Sequence, residues 1–170
     1  MRLAHLAPFA LALVLSACGG GGNDGPSGEI ERNPIPGSDF PISQSIEVTA
    51  GTDLLFASGA VPPAIVEGGS YADITTFGDM ETQTVNVLES ISERLTAAGY
   101  DLGDVVMMRA YLVADPMTGR MDFDGFMAGY TQFFGTDEQP NLPSRSAIEI
   151  AGLAAPGWLI EIEVVAAKAE

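Results

Sequence analysis

The chain has 170 residues, with 23 acidic and seven basic side chains and a formal net charge of −16 at pH 7. This excess of negative charge disfavours nucleic acid and anionic lipid surfaces as partners. The single cysteine, Cys18, and the single histidine, His5, both lie near the N-terminus. Beyond them the chain has no residues for a disulfide, a cysteine nucleophile, a Ser-His-Asp triad or a His/Cys zinc site. We therefore expect no metal and no cofactor.

The first residues have the features of an export signal. Arg2 supplies positive charge, and the apolar run over residues 6–15 is too short to span a bilayer as a stable helix. It ends in Leu15-Ser16-Ala17-Cys18, which resembles the lipobox of bacterial lipoproteins, where the cysteine becomes the lipidated first residue. We expect residues 1–18 to be a lipoprotein signal peptide with Cys18 as the lipidation site. An ordinary secretory signal with an incidental cysteine is the alternative.

Residues 19–29 are rich in glycine and are predicted to be a flexible tether, because they cannot bury apolar surface. A glycine rather than an aspartate after Cys18 resembles the outer-membrane address of bacterial lipoproteins. The expected location is therefore the cell envelope, with the protein lipid-anchored at the outer membrane and facing the periplasm.

Residues 30–170 have the composition of one globular domain with a core of its own. Its first two strands are separated by only five residues, which favours a hairpin. Alternation, helical spacing and stop signals such as Gly99 divide the domain into seven elements. They are strands over residues 43–48 and 54–58, a helix over 79–98, a strand over 105–113, a helix over 122–134, and strands over 143–150 and 159–166. The first helix is predicted to bury one apolar face, with Val87, Leu88, Ile91 and Leu95. The second has apolar residues at helical spacing, namely Phe123, Phe126, Met127, Tyr130, Phe133 and Phe134.

The order β-β-α-β-α-β-β indicates the α+β class, with two helices on one face of a mixed sheet. The strand over residues 105–113 is apolar almost throughout, which is typical of a strand covered on both faces. No further elements are available to cover the second face, so the pattern favours a homo-oligomer.

The last two strands carry the candidate chemistry. Arg145 is one of the few basic residues, and its planar guanidinium is suited to gripping a carboxylate. A strand pair presenting Arg145 and an inward glutamate could hold a small carboxylic acid beside a carboxylate able to handle a water. The alternative is that Arg145 only ties two strands together through Glu161 or Glu163, as part of a solvated face.

Four parts of the chain form a recognisable series: Phe56-Ala57-Ser58-Gly59-Ala60-Val61-Pro62, Gly78-Asp79-Met80-Glu81-Thr82-Gln83-Thr84, Asp104-Val105-Val106 with Tyr111-Leu112, and the two final strands. In their order and spacing these segments resemble the RidA (YjgF) family of reactive intermediate deaminases. The resemblance implies a chorismate-mutase-like fold, a trimer with clefts between neighbouring subunits, and hydrolysis of reactive enamines and imines to keto acids and ammonia.

The resemblance also implies roles for individual residues. Arg145 matches the arginine that pairs with the substrate carboxylate, and Glu161 matches the carboxylate that positions or activates the hydrolytic water. Ser58 and Gly59 match cleft positions, and the backbone carbonyl of Ala147 faces the same space.

Two positions depart from the family pattern. Ile42 stands where the family often has a tyrosine, and Met127 stands where an asparagine is usual; both are expected to border the substrate. Because both changes remove a polar group, a non-catalytic module that binds a small carboxylate is a second hypothesis, and a structural lipoprotein with a vestigial cleft is a third. The expected partners are a small carboxylate or imino or keto acid, further copies of the chain, and a membrane through the lipid anchor alone.

Overall fold

A computed structural model describes residues 27–169. The predicted signal peptide, Cys18 and most of the tether lie outside the described residues. Within this part of the chain no helix is long and apolar enough to cross a membrane. The strands are β1 (Ile30–Pro34), β2 (Ser43–Val48), β3 (Thr52–Ala60), β4 (Val105–Val113), β5 (Ser144–Ile150) and β6 (Ile160–Ala169), and the α-helices are α1 (Met80–Ala97) and α2 (Phe123–Tyr130).

The strands form one mixed sheet in the order β1-β2-β5-β4-β6-β3, and the predicted α+β class is confirmed. The predicted hairpin between β2 and β3 is wrong. β2 pairs with β1, while β3 pairs with β6 along its length. The short connection between β2 and β3 therefore joins strands that take different partners, a choice that loop length alone does not decide.

β1 was not predicted, because its five residues include two charged side chains and a proline and show no clear alternation. A half-buried side chain, that of Arg32, connects it to the rest of the domain. The Arg32 guanidinium donates hydrogen bonds to the backbone carbonyls of Val105 (2.9 Å), Leu142 (3.0 Å) and Gly103 (2.8 Å). Burial lowers the pKa of Arg32, and the nearby Asp104 carboxylate opposes this effect.

Both helices pack on one face of the sheet. The predicted face of α1, with Val87, Leu88, Ile91 and Leu95, is buried as expected. Asp79 caps this helix by accepting a hydrogen bond from the Thr82 amide. The opposite side of the core is made by alternate residues of the central strands, namely Met108, Ala110 and Leu112 of β4 and Ile160, Ile162, Val164 and Ala166 of β6.

The second helix is shorter than predicted. α2 ends at Tyr130 instead of residue 134, and the chain continues through turns to Gly135, which has a φ of 75°. The aromatic spacing continues past the helix because Phe133 and Phe134 still pack against the core from this turn. The spacing of the hydrophobic residues therefore predicted which side chains are buried but not where the helix ends.

The other face of the sheet is open within one chain. The side chains of β4 that point there include Arg109, whose side chain is 49% exposed. On the same face, β3 exposes Phe56, at 74%, and Leu54. The expected cover on both faces of β4 is thus not supplied by residues 27–169 of one chain.

Candidate functional site

Arg145 lies near the start of β5, on the side of the sheet that faces the helices. Its partner in β4 is Met108, which is fully buried. The guanidinium carbon lies 4.9 Å from the ring centre of Phe126 and 4.2 Å from that of Tyr130, both on α2. The Phe40 ring centre lies 5.6 Å away. These distances are typical of cation–π contacts, which hold the guanidinium in a fixed place.

The polar contacts of Arg145 are unusual for a half-buried cation. One nitrogen, Nη2, donates to the Met127 sulfur at 3.2 Å. The other, Nη1, is buried and has no hydrogen-bond partner among residues 27–169. Burial lowers the pKa of Arg145, and the neighbouring Tyr130 opposes this effect. A half-buried guanidinium with an unused N–H is costly unless an anion pairs with it, so this position, which also lines a surface pocket, is suited to a carboxylate.

Arg145 makes no ion pair with Glu161 or Glu163 in the described part of the chain. Glu163 instead accepts from Arg109 at 2.7 Å and from the Tyr111 hydroxyl at 2.9 Å. These two hydrogen bonds lower the pKa of Glu163. Its carboxylate is therefore occupied, and the interpretation of Arg145 as a strand tie through these glutamates does not match the geometry.

Glu161 occupies the open face of the sheet. Its neighbours along β6, Ile160 and Ile162, are fully buried in the core, so the Glu161 side chain points the other way. Gly59 lies directly against it, because a Cβ added to Gly59 would overlap the carboxylate. Gly59 and Glu161, both predicted to belong to the cleft, therefore lie together, and a larger residue at position 59 would displace the Glu161 side chain.

Two surface pockets flank these residues. Ile42 and Arg145 are among the residues that line a pocket of about 450 Å³ beside β2, β4 and β5. Ser58 lines a second one, of about 290 Å³, together with Arg109 and Glu163. Ala147 is half-buried against the core in β5, on the same side as Arg145.

The expected strand pair that carries both Arg145 and Glu161 is wrong, because β4 lies between β5 and β6. The two residues also lie on opposite faces of the sheet. Arg145 therefore groups with Met127 and Ala147 on the helix side, whereas Glu161 groups with Ser58 and Gly59 on the open side. One chain alone cannot bring Arg145 and Glu161 to the same ligand.

Comparison with known proteins identifies the family. Residues 38–168 match the sequence profile of the family described as endoribonuclease L-PSP. The chain belongs to this family. It is the RidA/YjgF family that the sequence motifs resembled, and the comparison supports that prediction.

Among RidA/YjgF relatives, a RutC family protein of Pyrococcus horikoshii is 37% identical over 128 residues, which cover 75% of this chain and 87% of that protein. The crystal structure of Escherichia coli TdcF with bound serine is 28% identical, with a TM-score of 0.53, and covers 82% of this chain and 97% of that one. TdcF is provisionally described as a reactive intermediate deaminase. YyfB of Yersinia pestis, a Rid family protein of unknown function, has a TM-score of 0.59 at 26% identity and covers 82% of this chain and 98% of its own.

The aromatic surroundings of Arg145 were not predicted as part of a RidA-like site. Phe126 and Tyr130 were recognised only as members of an apolar helix face, and Phe40 was not singled out. The Tyr130 hydroxyl donates to the Pro41 carbonyl at 2.9 Å, and burial raises the pKa of this tyrosine. The spacing of Phe126 and Tyr130 was the available signal, but it does not distinguish core from site.

No group of three or more His, Cys, Asp or Glu side chains in residues 27–169 is arranged to hold a metal ion. The chemistry available to this RidA family chain lies in a half-buried arginine, two glutamates on the open face and the backbone around them.

Proposed function

We propose that this protein is a RidA-like enamine and imine deaminase, which hydrolyses reactive 2-imino and enamino acids to 2-keto acids and ammonia. The observation that carries the proposal is the Arg145 guanidinium, which is held against α2 with one buried N–H unused and no carboxylate paired to it. A substrate carboxylate would supply the missing partner through a charge-assisted hydrogen bond. The serine bound to the relative TdcF supports a ligand of this size.

The cleft would be formed between subunits of a trimer. Arg145 and Glu161 lie on opposite faces of one chain, so a shared site requires Arg145 of one subunit and Glu161 of another. The exposed Phe56 and Leu54 on the open face support such contact, because large exposed apolar side chains mark interaction surfaces. A closed ring of identical subunits would use this surface three times.

In this cleft Arg145 would hold the substrate carboxylate while Glu161 orients the attacking water. An enamine first tautomerises to the imine. Water then adds to the C2 carbon of the imine, and Glu161 takes the proton that the water loses and returns it to the nitrogen, which gives a carbinolamine. Transfer of the carbinol hydroxyl proton to the same nitrogen then lets the C–N bond break as the C=O bond forms. Ammonia leaves and the keto acid remains, without any oxidant, reductant or cofactor.

A second candidate function is carriage of a small carboxylate without turnover. It is favoured by the contact between Met127 and Arg145, which is the anchor for the ligand carboxylate. The Met127 thioether lies beside this anchor at a position where the family usually has an asparagine. The anchor would then retain the ligand while the cleft lacks polar groups that support hydrolysis.

RNA cleavage, which the family description names, has little support in this chain. The net charge of −16 opposes binding of a polyanion. Residues 27–169 also contain no histidine to act as a general acid or base.

We further propose that the protein is a lipoprotein of the cell envelope, anchored through Cys18. The support is the apolar leader that ends in Leu15-Ser16-Ala17-Cys18 and the glycine-rich segment after it. Any substrate would then be met outside the cytosol.

The test of the proposed function is Arg145→Lys in the full-length protein. Ammonia release would be followed with 2-aminoacrylate or 2-iminopropionate generated in situ, and keto-acid binding would be measured by calorimetry. We expect a loss of about tenfold or more in both, because an ammonium cannot reproduce the fork of the guanidinium. The matched control is Arg94→Lys on the exposed face of α1, which should change neither.

The outcomes separate the candidates. Wild-type protein that binds keto acids but releases no extra ammonia would favour the binding function. A wild type that shows neither binding nor turnover would overturn the carboxylate anchor altogether.

A further inference from the structure

The side chains around the Arg145 guanidinium form an apolar wall. Three aromatic rings, those of Phe40, Phe126 and Tyr130, lie within 5.6 Å of its central carbon. The Met127 thioether completes this set at 3.2 Å from Nη2. A carboxylate that pairs with Nη1 would therefore bring the rest of its molecule close to aromatic and thioether surface.

The hydroxyl groups nearby are already used inside the protein. The Tyr130 hydroxyl donates to the Pro41 carbonyl at 2.9 Å. In the pocket that Arg145 lines, Ser43 Oγ donates to Leu142 O at 2.7 Å and Ser144 Oγ donates to Val106 O at 2.9 Å. The polar side chains of Gln44, Arg109 and Ser146 also line this pocket. On the side of the guanidinium that faces Phe40 and Met127, however, an apolar ligand side chain would meet apolar surface and leave no polar group unpaired.

The accessible part of this wall points to the same chemistry. Phe40 is 41% exposed, so its ring can be covered by a ligand without rearrangement of the core. Ile42 and Ile35 line the pocket with Arg145, which has a volume of about 450 Å³. That volume falls within the range of roughly 300–1,000 Å³ found for small-molecule sites. Met127 has a flexible, polarisable side chain that adapts to ligands of different shape.

We propose that this site selects 2-imino and 2-keto acids with a branched aliphatic or aromatic side chain over those derived from alanine or serine. Phe40, Ile42 and Met127 are the residues that set this preference, and Arg145 supplies the common anchor. The proposal rests on the function proposed above and names its substrate class.

The test compares binding of three keto acids to the full-length protein by calorimetry: pyruvate, 4-methyl-2-oxopentanoate and phenylpyruvate. Each buried methylene is expected to strengthen binding roughly fourfold. We therefore expect the two larger acids to bind at least about tenfold more tightly than pyruvate. Imines made from the corresponding amino acids by an amino-acid oxidase should follow the same order in ammonia release.

Two variants test the residues. Met127→Asn should reduce the preference to below about threefold, because it places an amide beside the anchor. Phe40→Ala should reduce the preference in the same way. Because Phe40 is exposed, this substitution should leave the fold intact. The control is Met117→Asn in the loop after β4, where Met117 is 88% exposed; it should leave the preference unchanged.

Pyruvate that binds as tightly as the larger acids would overturn this inference and leave the Arg145 anchor intact. If both Met127→Asn and Phe40→Ala keep the wild-type preference, the assignment of this preference to the aromatic and thioether side chains around Arg145 would be overturned. No binding by any keto acid would reject the anchor, and the selectivity would fall with it.

Discussion

Glu161 and Glu163 are two positions apart on one face of β6, and their surroundings differ. Glu163 accepts hydrogen bonds from Arg109 and Tyr111, which hold its pKa below the ordinary value. Glu161 lies against the backbone of Gly59. Its carboxylate accepts no hydrogen bond from residues 27–169, so it is the one free to hold a water.

This pair makes a matched test of the proposed base. Glu161→Gln should lower ammonia release by about a hundredfold or more, the scale of general acid–base catalysis, while keto-acid binding stays close to that of the wild type. Glu163→Gln should leave turnover within a few-fold of the wild type and weaken the contact between β4 and β6. Steady-state ammonia release and calorimetry on both variants would distinguish these roles. Equal losses in the two variants would contradict the assignment of Glu161.

At the scale of elements, strong periodicity was sufficient to predict where β4 and α1 lie. It did not predict which strands pair. β4 was predicted with its bounds, and α1 to within a residue at each end, because an apolar run and a capped amphipathic pattern are local signals. β1 was missed because its interactions are made by Arg32 with backbone carbonyls of distant segments. The order of β5, β4 and β6 was also missed, since parallel pairing of β5 with β4 is a long-range choice.

The same distinction applies to the candidate site. Arg145 could be singled out because a basic residue at the start of an alternating strand is rare in so acidic a chain. Its aromatic surroundings could not be separated from core residues, because Phe126 and Tyr130 are buried on both interpretations. The opposite orientation of Arg145 and Glu161 followed only once the intervening strand was known.

Arg32 offers the prediction for the elements. Arg32→Met keeps a long side chain but removes the hydrogen bonds to the carbonyls of Val105, Leu142 and Gly103. The Leu142 carbonyl would keep the Ser43 hydroxyl as a donor, and the Gly103 carbonyl would keep the Asn141 side-chain amide. The free energy of unfolding should fall by on the order of 3 kcal/mol. Hydrogen bonds from a charged group contribute about 1.5–3 kcal/mol each, and their contributions are not additive when they share one guanidinium. Urea unfolding of the full-length protein would measure it.

Arg94→Met provides the control for this experiment, because Arg94 is exposed near the end of α1. It should change the free energy of unfolding by less than about 0.5 kcal/mol, as is usual for surface substitutions. If Arg32→Met changed the free energy of unfolding as little as Arg94→Met, β1 would be held by its pairing with β2 alone.

For the whole molecule, the first prediction concerns export. Cys18→Ala should move the protein from the membrane fraction to soluble or unprocessed forms, because lipid chains anchor a protein by about 0.8 kcal/mol per buried methylene. Cell fractionation followed by immunoblotting would measure the distribution. Ser16→Ala, which keeps a small residue before the cysteine, is a control that should remain in the membrane fraction. Undiminished membrane retention of Cys18→Ala would reject the lipoprotein proposal.

The second prediction concerns assembly and the division of the site. Because Arg145 and Glu161 lie on opposite faces of a chain, each cleft of a trimer would combine the arginine of one subunit with the glutamate of the next. Trimers refolded from equal amounts of Arg145→Lys and Glu161→Gln chains would then contain intact clefts, about one quarter of the total by random mixing. Each variant alone should keep about a tenth of the wild-type turnover or less, and the mixture should recover ammonia release in that proportion, with light scattering giving the mass of three chains throughout. Mixing the two variants without refolding controls for simple addition of residual activities. A refolded mixture no more active than its components would show that no cleft combines Arg145 and Glu161 of different subunits, and a monomer mass would reject the shared cleft.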